Sequence, residues 1–209
     1  MRTPLITLLT VVGLASTASA QDDDWYFQLG LGGVFPTAAE DVPGGDIDFD
    51  QGFGISAAIG KRLGGGEDLG LAVEFESIFT DFKVDERDIT AIPSAINDEA
   101  GSLAWMLNGR LDWKFSDSLS LYLVGGLGYA TTLEYESWDS GNLNLVDEDG
   151  FAYQARVGFT FDLGGNYDVS IGYRFFQHEA IEIENTITSE TFDLDPIQNH
   201  AEITLRWGI

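Results

Sequence analysis

Cysteine is absent from this 209-residue chain, which excludes thiolate metal sites, dithiol redox chemistry and any disulfide framework. Basic residues are scarce: 10 Lys and Arg stand against 35 Asp and Glu, a net charge of −25. Such an excess would repel a phosphate backbone over most of the surface, so no nucleic-acid partner is expected. Proline numbers only 5, and after residue 20 no uninterrupted apolar run is long enough for a helical membrane span. Glycine, at 25 residues, and aromatic side chains, at 12%, are plentiful within a hydrophobic content of 44%. A chain of this composition folds, and it leans towards many tightly packed strands.

Residues 1–20 read as a leader. Arg2 precedes an apolar run over residues 4–14, and the segment closes on Ala18, Ser19 and Ala20 before the polar Gln21, Asp22, Asp23 and Asp24. A basic start, an apolar middle and a small-residue ending are the three parts of a signal peptide, so export and cleavage after Ala20 are expected. Residues 21–209 read as one domain with no linker and no low-complexity tract.

From Trp25 onward the apolar residues recur with a period of two, the mark of strands. Phe27, Leu29 and Leu31 share one face of the first segment; Leu103, Trp105 and Leu107 do so in a later one, as do Phe151, Tyr153, Val157 and Phe159. Eight such segments are expected, all with the apolar set on odd numbers, and they end with Ala201, Ile203, Leu205 and Trp207. The even face carries glycine, alanine and serine among charges such as Asp112, Glu202 and Arg206. The odd side chains are too many and too large to fill a small barrel from within, so they suit lipid outside one. Trp25, Trp105, Trp113, Tyr129, Tyr153 and Trp207 fall near strand ends on that face, where aromatic girdles at two membrane interfaces would lie. Backbone groups in hydrocarbon must all be paired, which demands closure.

Connections alternate in length. Gly64, Gly65, Gly66 and Glu67 make one short turn, Ser116, Asp117 and Ser118 a second, and Gly164, Gly165 and Asn166 a third. The others, residues 37–50, 81–100, 134–150 and 178–197, are long and hold 23 acids against the bases Lys83 and Arg87. The expected fold is an all-β, eight-stranded, up-and-down antiparallel transmembrane barrel, with short turns facing the periplasm and long loops outside a Gram-negative cell.

At this point three segments carry a resemblance. Leu121-Tyr-Leu-Val-Gly-Gly-Leu-Gly-Tyr-Ala130, Gly150-Phe-Ala-Tyr-Gln154 and Gly172-Tyr-Arg-Phe-Phe176, in this order, resemble the small eight-stranded outer-membrane barrels typified by the transmembrane domain of outer membrane protein A and by opacity-type surface proteins. The resemblance implies that the terminal strand, from Glu202 to Ile209, is read by the barrel assembly machinery. Within it Thr204 stands where glycine is usual and Ile209 where a terminal aromatic is expected.

Catalytic chemistry is hard to find. The chain has two histidines, His178 followed by Glu179 and His200 followed by Ala201. Neither has the serine two residues away that the resemblance to a lipid A deacylase would require. The plainer expectation for His200 is a lumen side chain bonded to a neighbour. Asp46, Asp48 and Asp50, with Asp147, Glu148 and Asp149, offer hard oxygen ligands to a divalent cation, but their spacing lacks the glycine and distal glutamate of a calcium loop. A solvated acidic surface is the stronger reading. No cofactor is expected. Divalent ions gathering at these loops would let them approach anionic lipopolysaccharide.

The even positions balance six bases, Arg62, Arg110, Lys114, Arg156, Arg174 and Arg206, against six acids, Glu74, Glu76, Asp112, Asp162, Asp168 and Glu202. Folding residues 150–180 about Gly165 sets Arg156 opposite Arg174, so a mid-lumen network of Glu74, Glu76, Arg110, Arg156, Arg174 and Glu202 is expected to plug the barrel. The function that follows is a non-enzymatic surface barrel. A narrow gated pore for ions or small solutes, and an adhesin acting through its loops, are the alternatives.

Overall fold

The computed structural model describes residues 25–37, 48–85, 99–133, 143–147, 149–179, 181–185, 190–194 and 197–209; the expected leader at 1–20 lies outside them. Its strands are β1 (Trp25–Pro36), β2 (Asp48–Gly65), β3 (Leu69–Asp85), β4 (Glu99–Ser116), β5 (Leu119–Leu133), β6 (Leu143–Asp147), β7 (Asp149–Gly164), β8 (Tyr167–His178), β9 (Ile181–Asn185), β10 (Glu190–Leu194) and β11 (Ile197–Gly208). Eight of them close a barrel in the order β1-β11-β8-β7-β5-β4-β3-β2. Every neighbouring pair is antiparallel, and β1 meets β11 in register from Tyr26↔Gly208 to Pro36↔Gln198. That seam is extended at both ends, by Ile209 N donating to Trp25 O at 3.0 Å and Thr37 N donating to Ile197 O at 2.8 Å. Closure therefore leaves no exposed edge in the barrel.

Period-two alternation sorts the side chains as the pattern requires. Leu31, Phe75, Leu107, Leu127 and Ile203 stand out from the wall, each more than half exposed. Their even neighbours are buried inside. On β4, Trp105 and Trp113 are eight residues apart, about 26 Å along a strand. With the usual tilt that spans roughly 20 Å of barrel axis, close to the height of an apolar band between aromatic girdles. Trp105 pairs with Tyr129 on β5, and Trp207 packs on Phe27 with ring centroids 6.0 Å apart.

At one end the hairpin turns are tight. Between β7 and β8, Gly164, Gly165 and Asn166 all adopt positive φ, of 77°, 64° and 69°, which two glycines and an asparagine accept with least cost. At the other end the strands run further than the alternation indicated. β2 begins at Asp48, β3 continues to Asp85 and β4 begins at Glu99, so parts of the expected loops 37–50 and 81–100 are strand. A second correction concerns 134–150 and 178–197: these stretches hold β6, β9 and β10, which form a separate antiparallel sheet in the order β10-β9-β6. Each has only five residues, too few for the alternation of Ile181, Glu182 and Ile183 to stand out from an acidic stretch.

Candidate functional site in the barrel lumen

Strand geometry fixes who meets whom in the lumen. β3 contributes Glu74 and Glu76, β4 Arg110, β7 Arg156, β8 Arg174 and β11 Glu202, all at even positions and all buried. Arg156 and Arg174 are directly opposite. Glu202 holds both: its Oε1 accepts from Arg156 Nε at 2.8 Å, and its Oε2 accepts from Arg174 Nε at 3.0 Å. Arg174 Nη2 also donates to Glu76 Oε1 at 2.7 Å. Arg156 Nη1 lies 3.6 Å from Glu74 Oε2 and 3.6 Å from Glu76 Oε1. The other Glu76 oxygen accepts from Asn108 Nδ2 and Gln154 Nε2, each at 2.9 Å. Arg110 joins from the short-turn side, with Nη1 3.6 Å from Glu74 Oε1.

The chain of charges continues towards the short turns. Arg110 grips Asp112 in bidentate fashion, Nε to Oδ2 at 2.9 Å and Nη2 to Oδ1 at 2.9 Å. Arg206 Nη1 lies 3.5 Å from Asp112 Oδ2, and its Nε donates to Asp168 Oδ2 at 2.9 Å. Three further members of the expected charge balance lie at the short-turn end. Arg62 stacks over the Tyr26 ring at 5.4 Å, Lys114 is exposed, and Asp162 Oδ1 accepts from Gly164 N at 2.6 Å in the turn. They line the cavity where the lumen opens, while four arginines and five carboxylates make the ion pairs traced above.

Two tyrosines that the charge count overlooked complete the packing. Tyr122 places its ring 4.5 Å from the Arg110 guanidinium and 5.7 Å from that of Arg156, a cation–π arrangement that disperses two positive charges. It reaches across Gly158 and Gly172, where a Cβ would collide with it. Tyr26 donates its hydroxyl to Glu74 Oε1 at 2.7 Å and lies 5.2 Å from Arg206. The legible signal was that both are even-numbered aromatics, on the face that carries the charges.

On the long-connection side of the network lies an apolar layer of Ile78, Ala104, Met106, Ala130, Ala152 and Phe176, all at 2% exposure or less. Beyond it Thr80 and Ser102 share a hydrogen bond of 2.8 Å. His200 is in the lumen as expected, but its Nε2 has no hydrogen-bond partner; the ring packs 6.4 Å from Phe176 instead of bonding through that atom. His178 Nδ1 is 2.8 Å from the Glu179 carbonyl. At the short-turn end the lumen widens into a cavity of about 380 Å³ lined by Arg62, Asp112, Lys114, Ser120, Asp168 and Arg206, among others.

Asp46 and Glu148 lie outside the described residues, as do the side chains of Asp48 and Asp147. Asp50 is exposed opposite Lys83 on β3, and Asp149 is exposed opposite Thr131 on β5. Among the described residues no three His, Asp or Glu are grouped to hold a metal.

A closed eight-stranded barrel with an apolar, aromatic-rimmed exterior and a packed polar lumen is an integral membrane barrel. The chain belongs to the outer membrane protein beta-barrel domain family, whose model matches residues 6–195, and this assigns it to the outer membrane of Gram-negative bacteria. Its fold is similar to that of Neisserial surface protein A, with a TM-score of 0.58 at 15% identity over 88% of this chain and 97% of that one. The outer membrane protein OprG from Pseudomonas aeruginosa aligns with a TM-score of 0.55 at 11% identity, over 89% of this chain and 96% of that one. The outer membrane protein AlkL aligns at 0.51 and 15% identity, over 92% and 94%. At these identities the likeness concerns the fold alone. No curated protein matches the sequence significantly.

Proposed function

We propose that this chain is a non-enzymatic surface protein of the outer membrane, a rigid barrel that holds acidic connections outside the cell while its short turns face the periplasm. The observation that carries this reading is the packed lumen: Glu74, Glu76, Arg110, Arg156, Arg174 and Glu202 are all 5% exposed or less, so the interior serves as a brace. The concentration of 23 acids in residues 37–50, 81–100, 134–150 and 178–197, strand ends and connections together, supports it too, since loops carry recognition while the scaffold stays fixed. Divalent cations would bridge these acids to lipopolysaccharide phosphates, and the segment from Glu202 to Ile209 would be the part read by the assembly machinery. Labelling of intact cells with a membrane-impermeant thiol reagent tests the orientation. Ser140→Cys and Ser189→Cys should react, and Glu67→Cys and Asp117→Cys should not; the reverse pattern would invert the topology and end the proposal.

A further inference from the structure

The lumen is asymmetric along its axis. At the short-turn end it is wet: Lys114 and Asp162 are exposed, Asp112, Ser120 and Asp168 are partly so, and the cavity of about 380 Å³ opens there. One step deeper, the side chains of Arg110, Arg156, Glu74 and Glu76 are fully buried. Past the apolar layer, Val34, Thr80 and Gln198 are also fully buried, and Phe82 is 5% exposed. From these gradients we infer that the lumen is a blind well entered from the short-turn end, and that its permeability barrier is the layer of Ile78, Ala104, Met106, Ala130, Ala152 and Phe176, not the ion pairs beneath it.

The two layers differ in what they offer to water. In the ionic layer both Arg156 Nη atoms and Glu74 Oε2 lack hydrogen-bond partners. Water advancing from the well would be welcomed there, and rotation of one long side chain would admit it. The layer above presents carbon and one thioether from β3, β4, β5, β7 and β8, where water finds no partner and an ion would shed its shell. Unpaired polar atoms at its margin come from β11, His200 Nε2 beside the Phe176 ring and the Gln198 amide opposite it. Constrictions of this kind block by dewetting. The layer is also held in place. Met106 fills the space over Gly128, where a Cβ would lie 2.6 Å from its Sδ, and the Phe176 ring is flanked by His178 and His200 at 6.2 and 6.4 Å.

The short-turn end is the periplasmic end on the orientation proposed above; the order of the layers does not depend on that orientation. The test uses the full refolded chain in planar bilayers, with folding of each variant checked by heat-modifiable gel mobility. The unmutated protein and Glu202→Gln should show no steady conductance, while the double variant Met106→Ala with Phe176→Ala should conduct. Conductance in Glu202→Gln but not in the double variant would overturn the inference, as would a steady conductance of the unmutated protein. A second measurement needs no destabilising change. A small water-soluble thiol reagent applied to both faces should modify Ser120→Cys at least about tenfold faster than Ala130→Cys, as expected when only local opening exposes the second site. Equal rates would place the barrier elsewhere, whatever the cell-surface labelling finds.

Discussion

Arg156 and Arg174 face one another across the β7 and β8 pair, and the single carboxylate of Glu202, on β11, accepts a hydrogen bond from each. Two guanidiniums cannot share a dry space without a counter-charge between them. Glu202 supplies one from the strand next to β8, and Glu76 and Glu74 supply others from across the barrel. The network therefore ties β3, β7, β8 and β11 together through the interior, in addition to the ladder that runs around the wall.

Glu202→Gln keeps the shape and removes the charge. It should cost about 3 to 5 kcal/mol, the usual penalty for stranding buried charges. Urea unfolding of the refolded protein in lipid vesicles, followed by gel mobility, measures it. A loss below about 1 kcal/mol, as at an exposed pair, would show that Glu202 is not the hub.

Leu123 stands out from the middle of β5 and is 45% exposed, whereas Ser120 on the same strand lines the wide end of the lumen. Leu123→Arg should cost about 2 to 4 kcal/mol in a bilayer, as charges on a lipid face do. Ser120→Arg has room and water, and should cost less than about 1 kcal/mol, as exposed changes usually do. Equal losses in the same unfolding assay would contradict the assignment of faces.

Gly172 gives Tyr122 the room to cross the lumen, and the Tyr122 hydroxyl it shelters has no hydrogen-bond partner. Gly172→Ala should therefore destabilise the barrel by about 1 to 3 kcal/mol through overpacking. Tyr122→Phe alone should be close to neutral, because it removes a buried unpaired hydroxyl. Combining the two should recover part of the loss. A double variant no more stable than Gly172→Ala would mean that the backbone of β7, not the phenol, sets the limit; Val157 O is the next atom a Cβ would meet, at 2.7 Å.

Much of this molecule is a local property of its sequence. Period-two alternation with the apolar set on odd numbers determined which side chains face out, because successive residues of a strand must point to opposite faces. Turn residues such as Gly164, Gly165 and Asn166 located the hairpins, and hairpin arithmetic about Gly165 placed Arg156 against Arg174. Tertiary structure decided the rest. Which carboxylate each arginine reaches depends on the stagger of eight strands around a closed wall, and that stagger is a sum over all registers rather than a feature of any segment. It brings Tyr122 between Arg110 and Arg156, moves Arg62, Lys114 and Asp162 to the wet end, and gathers Ile78, Met106 and Phe176 from three strands into one layer. Those apolar residues are isolated among polar even positions in the sequence, so no window along the chain contains the layer; only closure of the barrel creates it.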